Sequence, residues 1–529
     1  MGVVERRCRG GGDALMLLVN NVSLPLDCTF SKKEVAKYLK LNEKDIISLR
    51  LHKKSVDARK GVNFCCSFVL EVKNEQYLLK RNKNASVYKK NEYEWKKCSS
   101  SVRPVVVGFG PCGMFCALTL ARAGLRPVVL ERGREVEKRM QDVDSFWKGG
   151  KLDPESNVQF GEGGAGTFSD GKLNTGIKDI RCRTVLEQFV AFGAQENILT
   201  DAKPHIGTDI LVNVVKNIRS EIIALGGEIR FESRLDRVFI KDGAVYKIAV
   251  NGKEMPCECL CLATGHSARD TFFMLKNAGF EMERKSFAIG ARIEHRQRDI
   301  DRALYGVSAG HPALKPADYK LVTHLENGRA VYTFCMCPGG VVVNASSEDG
   351  MLAVNGMSYS ARDGENANSA LLVEVKPSDL EGDDVLEGVR FQREVEKKAY
   401  GIKKGAMPVC YVGDITGEDV TDPVMPTVKP DTVKCDINAV LPPFVADSIK
   451  EALPQFEKRI RGFSSADALL TFPETRSSSP VRVIRDKNYS AVGIDGVYPA
   501  GEGAGYAGGI TSAAVDGMRV AEAIIEKLR

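Results

Sequence analysis

The amino-acid sequence predicts an α/β protein with a small α+β domain at its N-terminus, a discontinuous parallel-sheet domain, and an α+β domain inserted into the latter. The length of 529 residues with 43% hydrophobic residues supports more than one buried core. At Val105 the composition changes from Lys, Asn and Ser to apolar strands punctuated by glycine. The predicted boundaries are an extension over residues 1–15, a basic domain over 16–102, the parallel-sheet domain over 103–269 and 481–529, and the inserted domain over 270–480.

The charge is distributed unevenly along the chain. Its formal net charge is +6, but residues 1–103 carry 22 Lys and Arg against 11 Asp and Glu, whereas residues 104–529 carry 53 against 58. A basic segment of this kind raises the hypothesis of nucleic-acid binding. Residues 53–60 lack the interleaved aromatic side chains on which bases stack, so nucleic acid is the less favoured partner.

Cysteine usage and hydropathy indicate the compartment. The 15 cysteines are scattered through a long chain, which is typical of free thiols in a reducing compartment and predicts a cytoplasmic location. No run of 18 apolar residues is present, so no membrane span is predicted. The apolar run at residues 14–19 is shorter than the core of a signal peptide. The six histidines include no pair at metal-ligand spacing, so no metal site is predicted.

The N-terminal domain shows a helix signal between strand signals. Ser31 and Glu34 are spaced as a capping box at the start of a helix. Residues 46–51 and 64–70 are predicted strands on either side of a polar segment at 53–61. Residues 80–103 are predicted to be a linker because they are rich in Lys, Asn and Ser.

A strand, a glycine turn and a helix follow from residue 105. Gly108 permits the tight turn, Gly110 lets the backbone approach a pyrophosphate, and Gly113 lets helix and strand pack closely. Pro111 follows the second glycine, the helix is predicted from Met114 to Ala123, and a second strand over residues 127–133 comes next. Phosphates bind at the positive end of such a helix, so the unit predicts a Rossmann-like dinucleotide site. A tight turn without a ligand is the alternative.

An acidic residue ends the second strand. Glu131 lies 23 positions after Gly108, where its carboxylate can accept both ribose hydroxyls of adenosine, and Arg132 follows it. An acid at this point disfavours the 2′-phosphate of NADP. The predicted ligand is therefore FAD or NAD.

Two later segments distinguish these ligands. The first is a predicted hairpin around residues 241–243 followed by a strand that ends in Ala263-Thr264-Gly265. The second is the glycine-rich segment 496–510 before a helix predicted over Thr511–Leu528. With these segments the chain resembles the glutathione-reductase-type FAD-binding fold. The resemblance implies FAD as the cofactor, with contacts from Val238 to adenine and further contacts from Gly163, Gly164, Gly166, Thr264, Gly265, Gly501, Glu502, Gly509 and Ile510.

A narrower resemblance covers nearly the whole chain after Met16. The segments 55–60, 159–173, 265–270, 334–340 and 474–480 resemble a bacterial family usually called FAD-dependent dehydrogenases. This resemblance implies a flavoenzyme but supplies no substrate.

Catalytic candidates are few. Cys337 ends a predicted strand at a Pro-Gly-Gly turn, although the C-x-C spacing differs from the C-x-x-C of disulfide reductases. His266 follows a strand end and could act as an acid or make only a structural hydrogen bond. Lys172 could face the substrate or form a loop salt bridge with Asp170. Four arginines could clamp a carboxylate or the pyrophosphate, namely Arg269, Arg292, Arg362 and Arg476.

These observations favour an FAD-dependent oxidoreductase that transfers a hydride between flavin N5 and a small organic substrate. The sequence shows no second strand–GxGxxG–helix unit, so NAD(P)H, if used, must enter transiently at the flavin face. The alternative is a flavin-containing protein that binds nucleic acid or assists RNA modification through its basic N-terminal domain.

Overall fold

The computed structural model describes residues 15–529, so the extension predicted over residues 1–15 lies outside them except for Leu15. The chain forms two compact units. The first comprises the described residues up to Glu92 with Leu199–Ala202 and His311–Leu314; the second comprises Tyr93–Ile198, Lys203–Gly310 and Lys315–Arg529. The division of the chain into five sequence segments stays a prediction.

The first unit is a four-stranded antiparallel sheet with two helices. Its elements are β1 (Leu17–Leu24), α1 (Lys32–Leu39), β2 (Ile46–Asp57), β3 (Asn63–Val72), α2 (Glu75–Arg81) and β4 (Ala85–Val87). The strand order is β2-β3-β1-β4. Ser31 caps α1 as predicted, because its hydroxyl accepts from Glu34 N. The strand predicted over residues 46–51 extends into the polar segment, since β2 continues to Asp57, and the predicted linker contains β4.

The second unit holds the remaining elements. Its strands are β5 (Val105–Val107), β6 (Val128–Leu130), β7 (Glu228–Arg230), β8 (Leu235–Lys241), β9 (Ala244–Val250), β10 (Lys253–Pro256), β11 (Leu260–Leu262), β12 (Met282–Arg284), β13 (Phe287–Arg296), β14 (Val322–His324), β15 (Ala330–Cys337), β16 (Val341–Asn344), β17 (Val354–Met357), β18 (Asn366–Val375), β19 (Met407–Tyr411), β20 (Thr432–Lys434), β21 (Leu469–Glu474), β22 (Val481–Val483) and β23 (Val497–Pro499). Its helices are α3 (Pro111–Ala123), α4 (Val136–Trp147), α5 (Ile180–Ala191), α6 (Thr208–Ala224), α7 (Arg269–Asn277), α8 (Gln297–Tyr305), α9 (Glu387–Ile402), α10 (Val412–Thr416), α11 (Pro443–Glu457) and α12 (Ile510–Leu528).

A five-stranded parallel sheet organises one half of this unit. Its order is β23-β11-β5-β6-β7, so the strand formed by Val497–Pro499 lies beside one that begins at Leu260. All three valines of β5 are buried, as expected for a parallel strand covered on both faces. The helix α3 begins at Pro111 rather than Met114 and ends at Gly124. The predicted α/β fold is confirmed, and the chain returns to the parallel sheet through β23 and α12.

A seven-stranded mixed sheet organises the other half. Its order is β14-β15-β18-β13-β21-β19-β20, with all neighbouring strands antiparallel except β19 and β20. The strands β13 and β18 are buried along almost their whole length, and they share one hydrophobic core with α11. This sheet supplies one wall of the cavity described below.

Helices that belong to distant parts of the sequence pack closely on the parallel sheet. Gly517 of α12 lies so near α3 that a Cβ there would be 2.1 Å from Cys112 O. Asp516 pairs with Arg485 and accepts from Gly501 N at 2.7 Å. These contacts fix α12 beside α3, so the beginnings of both helices face one cavity.

Within the described residues, none of the helices combines the length and the apolarity needed to cross a bilayer. The fourteen cysteines in this part of the chain are free thiols. Nor do the described residues include a group of three or more His, Cys, Asp or Glu side chains placed to hold a metal ion.

Candidate cofactor site

A cavity of about 420 Å³ lies at the carboxyl ends of the parallel strands. Strand ends β5, β6, β11 and β23 supply Val107, Leu130, Ala263 and Ala500 to its wall. Open α/β sheets bind ligands in the crevice at this edge, and the volume is in the range of cofactor sites. The cavity then extends to the mixed sheet, whose residues Phe334, Cys335 and Glu474 also line it.

The turn between β5 and α3 is shaped by its glycines. Gly108 has φ +95°, and a Cβ there would be 2.3 Å from Ala263 O. A Cβ on Gly113 would be 1.9 Å from Gly108 O, so this residue serves helix–strand packing and does not line the cavity. A Cβ on Gly110 would meet nothing closer than Gly164 Cα at 3.6 Å. A Cβ at Gly110 would therefore make ordinary contact with Gly164, so this glycine does not relieve a clash within the protein.

Two helices begin at the cavity without a side-chain cap. Gly110 precedes α3 and Gly509 precedes α12, and neither offers a side chain to the first-turn N–H groups. Pro111 and Ile510, the first residues of the two helices, line the cavity. Uncapped N–H groups at a helix start favour an anionic ligand. This arrangement fits the pyrophosphate and the electron-rich end of a flavin dinucleotide.

Glu131, the predicted ribose contact, lies at the cavity. It follows β6, lines the cavity and is 4% exposed. Its Oε2 accepts from Phe109 N at 2.8 Å, and its Oε1 accepts from Gly133 N and Gly161 N at 2.9 and 3.0 Å. These three donors fix the carboxylate while leaving acceptor capacity for ligand hydroxyls. Arg132 also lines the cavity, paired with Glu155 and Asp270.

Most of the residues predicted to bind the cofactor lie together at this cavity. Its lining includes Gly108, Gly110, Pro111, Glu131, Arg132, Gly164, Gly166, Thr264, Gly265, Glu502, Gly509 and Ile510. Gly164 and Gly166 lie in a 3₁₀ helix, Gly164–Phe168, within the glycine-rich loop.

Three other predicted contacts lie outside the lining. Gly163 forms a turn whose N–H donates to Phe109 O. Gly501 packs against Cys112, because a Cβ there would be 2.9 Å from Cys112 Cβ. Val238 is a core residue of the β8 sheet, and the cavity is lined instead by Ser233, Arg234 and Leu235 just before it. Val238 therefore does not line the cavity, and its predicted contact with adenine stays a prediction.

His266 makes one side-chain hydrogen bond within the protein at the edge of the cavity. Its Nε2 donates to Arg476 O at 3.0 Å, and its Nδ1 lies 3.4 Å from Glu502 Oε1. Burial lowers the pKa of His266 to about 4 and raises the pKa of Glu502 to about 7. A neutral imidazole therefore faces a carboxyl group that titrates near neutral pH. The structural alternative for His266 accounts for its Nε2, and the unprotonated Nδ1 of the neutral ring faces Glu502.

Lys172 lines the cavity and also forms the loop salt bridge that the sequence left open. Its Nζ lies 3.0 Å from Asp170 Oδ2, and Asp170 also accepts from Arg362 Nε at 2.9 Å. Despite its burial, the pKa of Asp170 is lowered by Lys172 and Arg362. The ammonium group is held at the cavity wall by a charged partner.

The four arginines predicted as ligand clamps are occupied by carboxylates of the protein. Arg269 and Arg476 both bind Glu396, Arg292 binds Glu474, and Arg362 binds Asp170. Arg476 is the member of this set that lines the cavity. The sequence could not choose among the four, and the other three do not line the cavity; each is paired because a buried guanidinium requires a partner.

Cys337 is fully buried and does not line the cavity, in contrast to the prediction for it. The neighbouring Cys335 does so. The C-x-C pattern indicated the position, but strand alternation alone could not show which thiol faces the cavity, because the β15–β18 pairing is irregular between Phe334 and Cys337.

The fold and this site define a protein that binds FAD, which is its cofactor. Residues 286–477 match a family model described as "FAD-dependent protein, C-terminal domain-like", and residues 16–72 match a domain of unknown function. The chain is 48% identical over 528 residues to an "Uncharacterized protein" of Clostridium beijerinckii, covering 97% of this chain and 99% of that one. The chain belongs to the same family as this clostridial protein.

Solved structures with similar chains were also found. A flavin-dependent brominase is 14% identical, with 81% of this chain and 79% of that chain covered and a TM-score of 0.36. Glycine oxidase from Bacillus cereus is 11% identical, with coverages of 81% and 96% and a TM-score of 0.31. A geranylgeranyl bacteriochlorophyll reductase-like protein from Thermoplasma acidophilum is 12% identical, with coverages of 80% and 78% and a TM-score of 0.34.

The ribose carboxylate provides a first prediction. We expect Glu131→Ala to weaken FAD binding roughly tenfold to a hundredfold, because a hydrogen bond to a charged group contributes about 1.5–3 kcal/mol. The measurement is the flavin-to-protein absorbance ratio after dialysis against known FAD concentrations. Glu187→Ala, on the surface of α5, is the control. Full FAD retention by Glu131→Ala would contradict the assignment of this carboxylate to the cofactor.

Proposed function

We propose that the protein is an FAD-dependent oxidoreductase that transfers a hydride between flavin N5 and a small organic substrate. The observation that carries the proposal is the continuity of one cavity from the strand ends to the mixed sheet. The first end fits a dinucleotide, and the second presents titratable side chains. The narrower assignment to dehydrogenases of the glutathione-reductase type is part of the same proposal, supported by the glycine turn and Glu131.

The chain's own residues at the second end would bind and orient the substrate. Lys172, Cys335 and Glu474 all line it. Burial raises the pKa of Glu474 to about 7 against the opposing effect of Arg292, so this carboxyl group can hold or release a proton near neutral pH. When bound, FAD supplies two-electron chemistry, and the residues around it supply orientation and proton handling.

If NAD(P)H is the electron donor, we propose that it binds only transiently at the flavin face, since the described residues contain a single five-stranded parallel sheet and so no second dinucleotide-binding domain of this kind. The alternative partner, nucleic acid, would act through the basic N-terminal residues. That alternative predicts an RNA-dependent, salt-sensitive shift in gel mobility. Purified protein that contains no nucleic acid, and whose gel mobility does not change when RNA is added, would exclude nucleic-acid binding.

The proposal is tested by anaerobic mixing of the holoprotein with NADH, NADPH and small amines, amino acids and 2-hydroxy acids. We expect at least one donor to bleach the oxidised flavin absorbance. Lys172→Met should slow this reduction without loss of FAD, whereas Lys178→Met on the nearby surface should leave it unchanged. A flavin that no donor reduces, in protein that retains full FAD, would contradict hydride transfer from this substrate class.

A further inference from the structure

The two cysteines at the end of β15 lie where the backbone departs from regular strand geometry. Cys335 has φ +43°, a left-handed conformation that residues other than glycine seldom adopt. The ladder between β15 and β18 shifts register between Phe334 and Cys337. Such conformations persist where the surrounding structure holds them, and they are concentrated at functional sites. At this irregularity Cys335 lines the cavity and Cys337 is buried behind it.

The Cys337 thiol contacts the backbone of Cys335, and one buried cation contacts both residues. The Cys337 thiol donates a hydrogen bond to Cys335 O, with an Sγ–O distance of 3.2 Å. Arg292 Nη2 donates to the same carbonyl at 2.7 Å and lies 3.7 Å from Cys337 Sγ. Arg292 is itself fully buried and is anchored by Glu474. A guanidinium in contact with Cys337 Sγ and with the backbone carbonyl of Cys335 favours negative charge on the pair.

The environment divides the pair into one thiolate and one thiol. A hydrogen bond from Cys337, with Arg292 and Lys172 nearby, lowers the pKa of Cys335 to about 6 despite burial and the opposing charge of Asp170. Burial and the neighbouring Cys335 raise the pKa of Cys337 well above its usual range. A thiolate is the attacking species in thiol–disulfide exchange, and a protonated neighbour can complete the exchange afterwards.

We propose that Cys335 and Cys337 form a redox-active dithiol whose substrate class is a small disulfide. The Cys335 thiolate attacks one sulfur of the disulfide, so that an S–S bond forms to Cys335, the original S–S bond breaks, and one half leaves as a thiolate. Cys337 then loses its proton and attacks Cys335 Sγ, and the second half leaves with that proton as a thiol. Two electrons have passed to the small disulfide, and the protein holds a Cys335–Cys337 disulfide.

The return of this disulfide to one thiolate and one thiol takes two electrons and one proton. Reduced FAD bound in the same cavity would supply these two electrons. Only this return step rests on the proposed function. The exchange itself needs no flavin chemistry. It can therefore succeed where donor reduction of the flavin fails, and the two outcomes are distinguishable.

The experiment treats the holoprotein at pH 6 with 2-hydroxyethyl disulfide, followed by alkylation of remaining thiols and peptide mass spectrometry. Wild-type protein should gain a Cys335–Cys337 disulfide. Cys337→Ser should instead retain one hydroxyethylthio group on Cys335, and Cys335→Ser should gain no adduct on Cys337. Cys182→Ser, which removes a half-buried thiol on α5, should behave as wild type. An unmodified Cys335 in both wild type and Cys337→Ser would overturn the proposal.

A second measurement needs no substitution and so does not depend on how the variants fold. We expect the rate of iodoacetamide alkylation at Cys335 in wild-type holoprotein to reach half its maximum near pH 6 and to exceed the rate at Cys182. An ordinary thiol would reach half-maximum at about pH 8.5. A Cys335 profile at that ordinary position would also overturn the proposal. FAD content is measured in the same samples.

Discussion

Gly110→Leu should yield a folded protein that binds FAD at least about a hundredfold more weakly than wild type. The backbone at Gly110 has φ −79°, which any residue adopts, and a Cβ there would make only ordinary contact with Gly164 at 3.6 Å. The new side chain would occupy the space at the start of α3 where the pyrophosphate approaches the backbone. Loss of two charge-assisted hydrogen bonds of about 1.5 kcal/mol each lowers FAD affinity by about a hundredfold or more. Flavin content and FAD titration measure the effect.

The choice of glycine makes this experiment interpretable. Gly108 and Gly113 lie against backbone oxygens, so substitution at either would break the packing of β11, β5 and α3 and remove FAD indirectly. Gly176→Leu is the matched control, because Gly176 is exposed and a Cβ there meets nothing within 4 Å. Unchanged circular dichroism with lost flavin supports the assignment of Gly110. A Gly110→Leu protein that binds FAD as wild type contradicts it.

Glu396→Gln destabilises the protein by about 3–5 kcal/mol, the usual consequence of leaving a buried charge without its partner. Glu396 is fully buried on α9, where Arg269 Nη2 lies 2.7 Å from its Oε1 and Arg476 Nη2 lies 2.8 Å from its Oε2. The amide of glutamine keeps the shape but leaves two guanidinium groups facing a neutral side chain. The measurement is the free energy of unfolding from urea titration, compared with Glu394→Gln at an exposed position of the same helix.

The pH dependence gives this prediction a second check. Although burial raises the pKa of Glu396, Arg269 and Arg476 lower it overall. A carboxyl group with a depressed folded pKa contributes stability that is fully present above the unfolded pKa of about 4.3 and is lost as the pH falls below it. As the pH is lowered from 5, the free energy of unfolding should therefore fall more in wild type than in Glu396→Gln. Equal losses of unfolding free energy in both proteins would show that the buried ion pairs of Glu396 are not the source of the pH dependence.

The parts of the site that could be predicted from the sequence are those whose chemistry is local. Gly108, Gly110 and Gly113 lie within six residues, and each spacing reflects one turn and one helix start. Glu131 follows because a parallel strand after such a helix returns to the same sheet edge. Pro111 and Ile510 likewise mark helix starts, although α3 begins three residues earlier than the apolar pattern indicated.

The parts that could not be predicted depend on partners far away in the sequence. Arg292 and Glu474 are 182 positions apart, and nothing near either residue signals their pairing. The same holds for Glu396, which two of the candidate arginines share. The orientation of Cys335 could not be predicted for a different reason. The irregular β15–β18 ladder interrupts the two-residue alternation of side chains on which strand predictions rest.

The packing of α12 on α3 has a consequence for biosynthesis. The Gly110 turn precedes the start of α12 by roughly 400 residues, yet the cofactor cavity is walled by both. At ribosomal rates this interval corresponds to about 20–80 s. During this interval the nascent polypeptide contains β5 and the Gly110 turn, but β23 and α12, which form the other wall of the cavity, have not yet been synthesised. We therefore expect a chain that ends before α12 to lack one wall of the cofactor cavity.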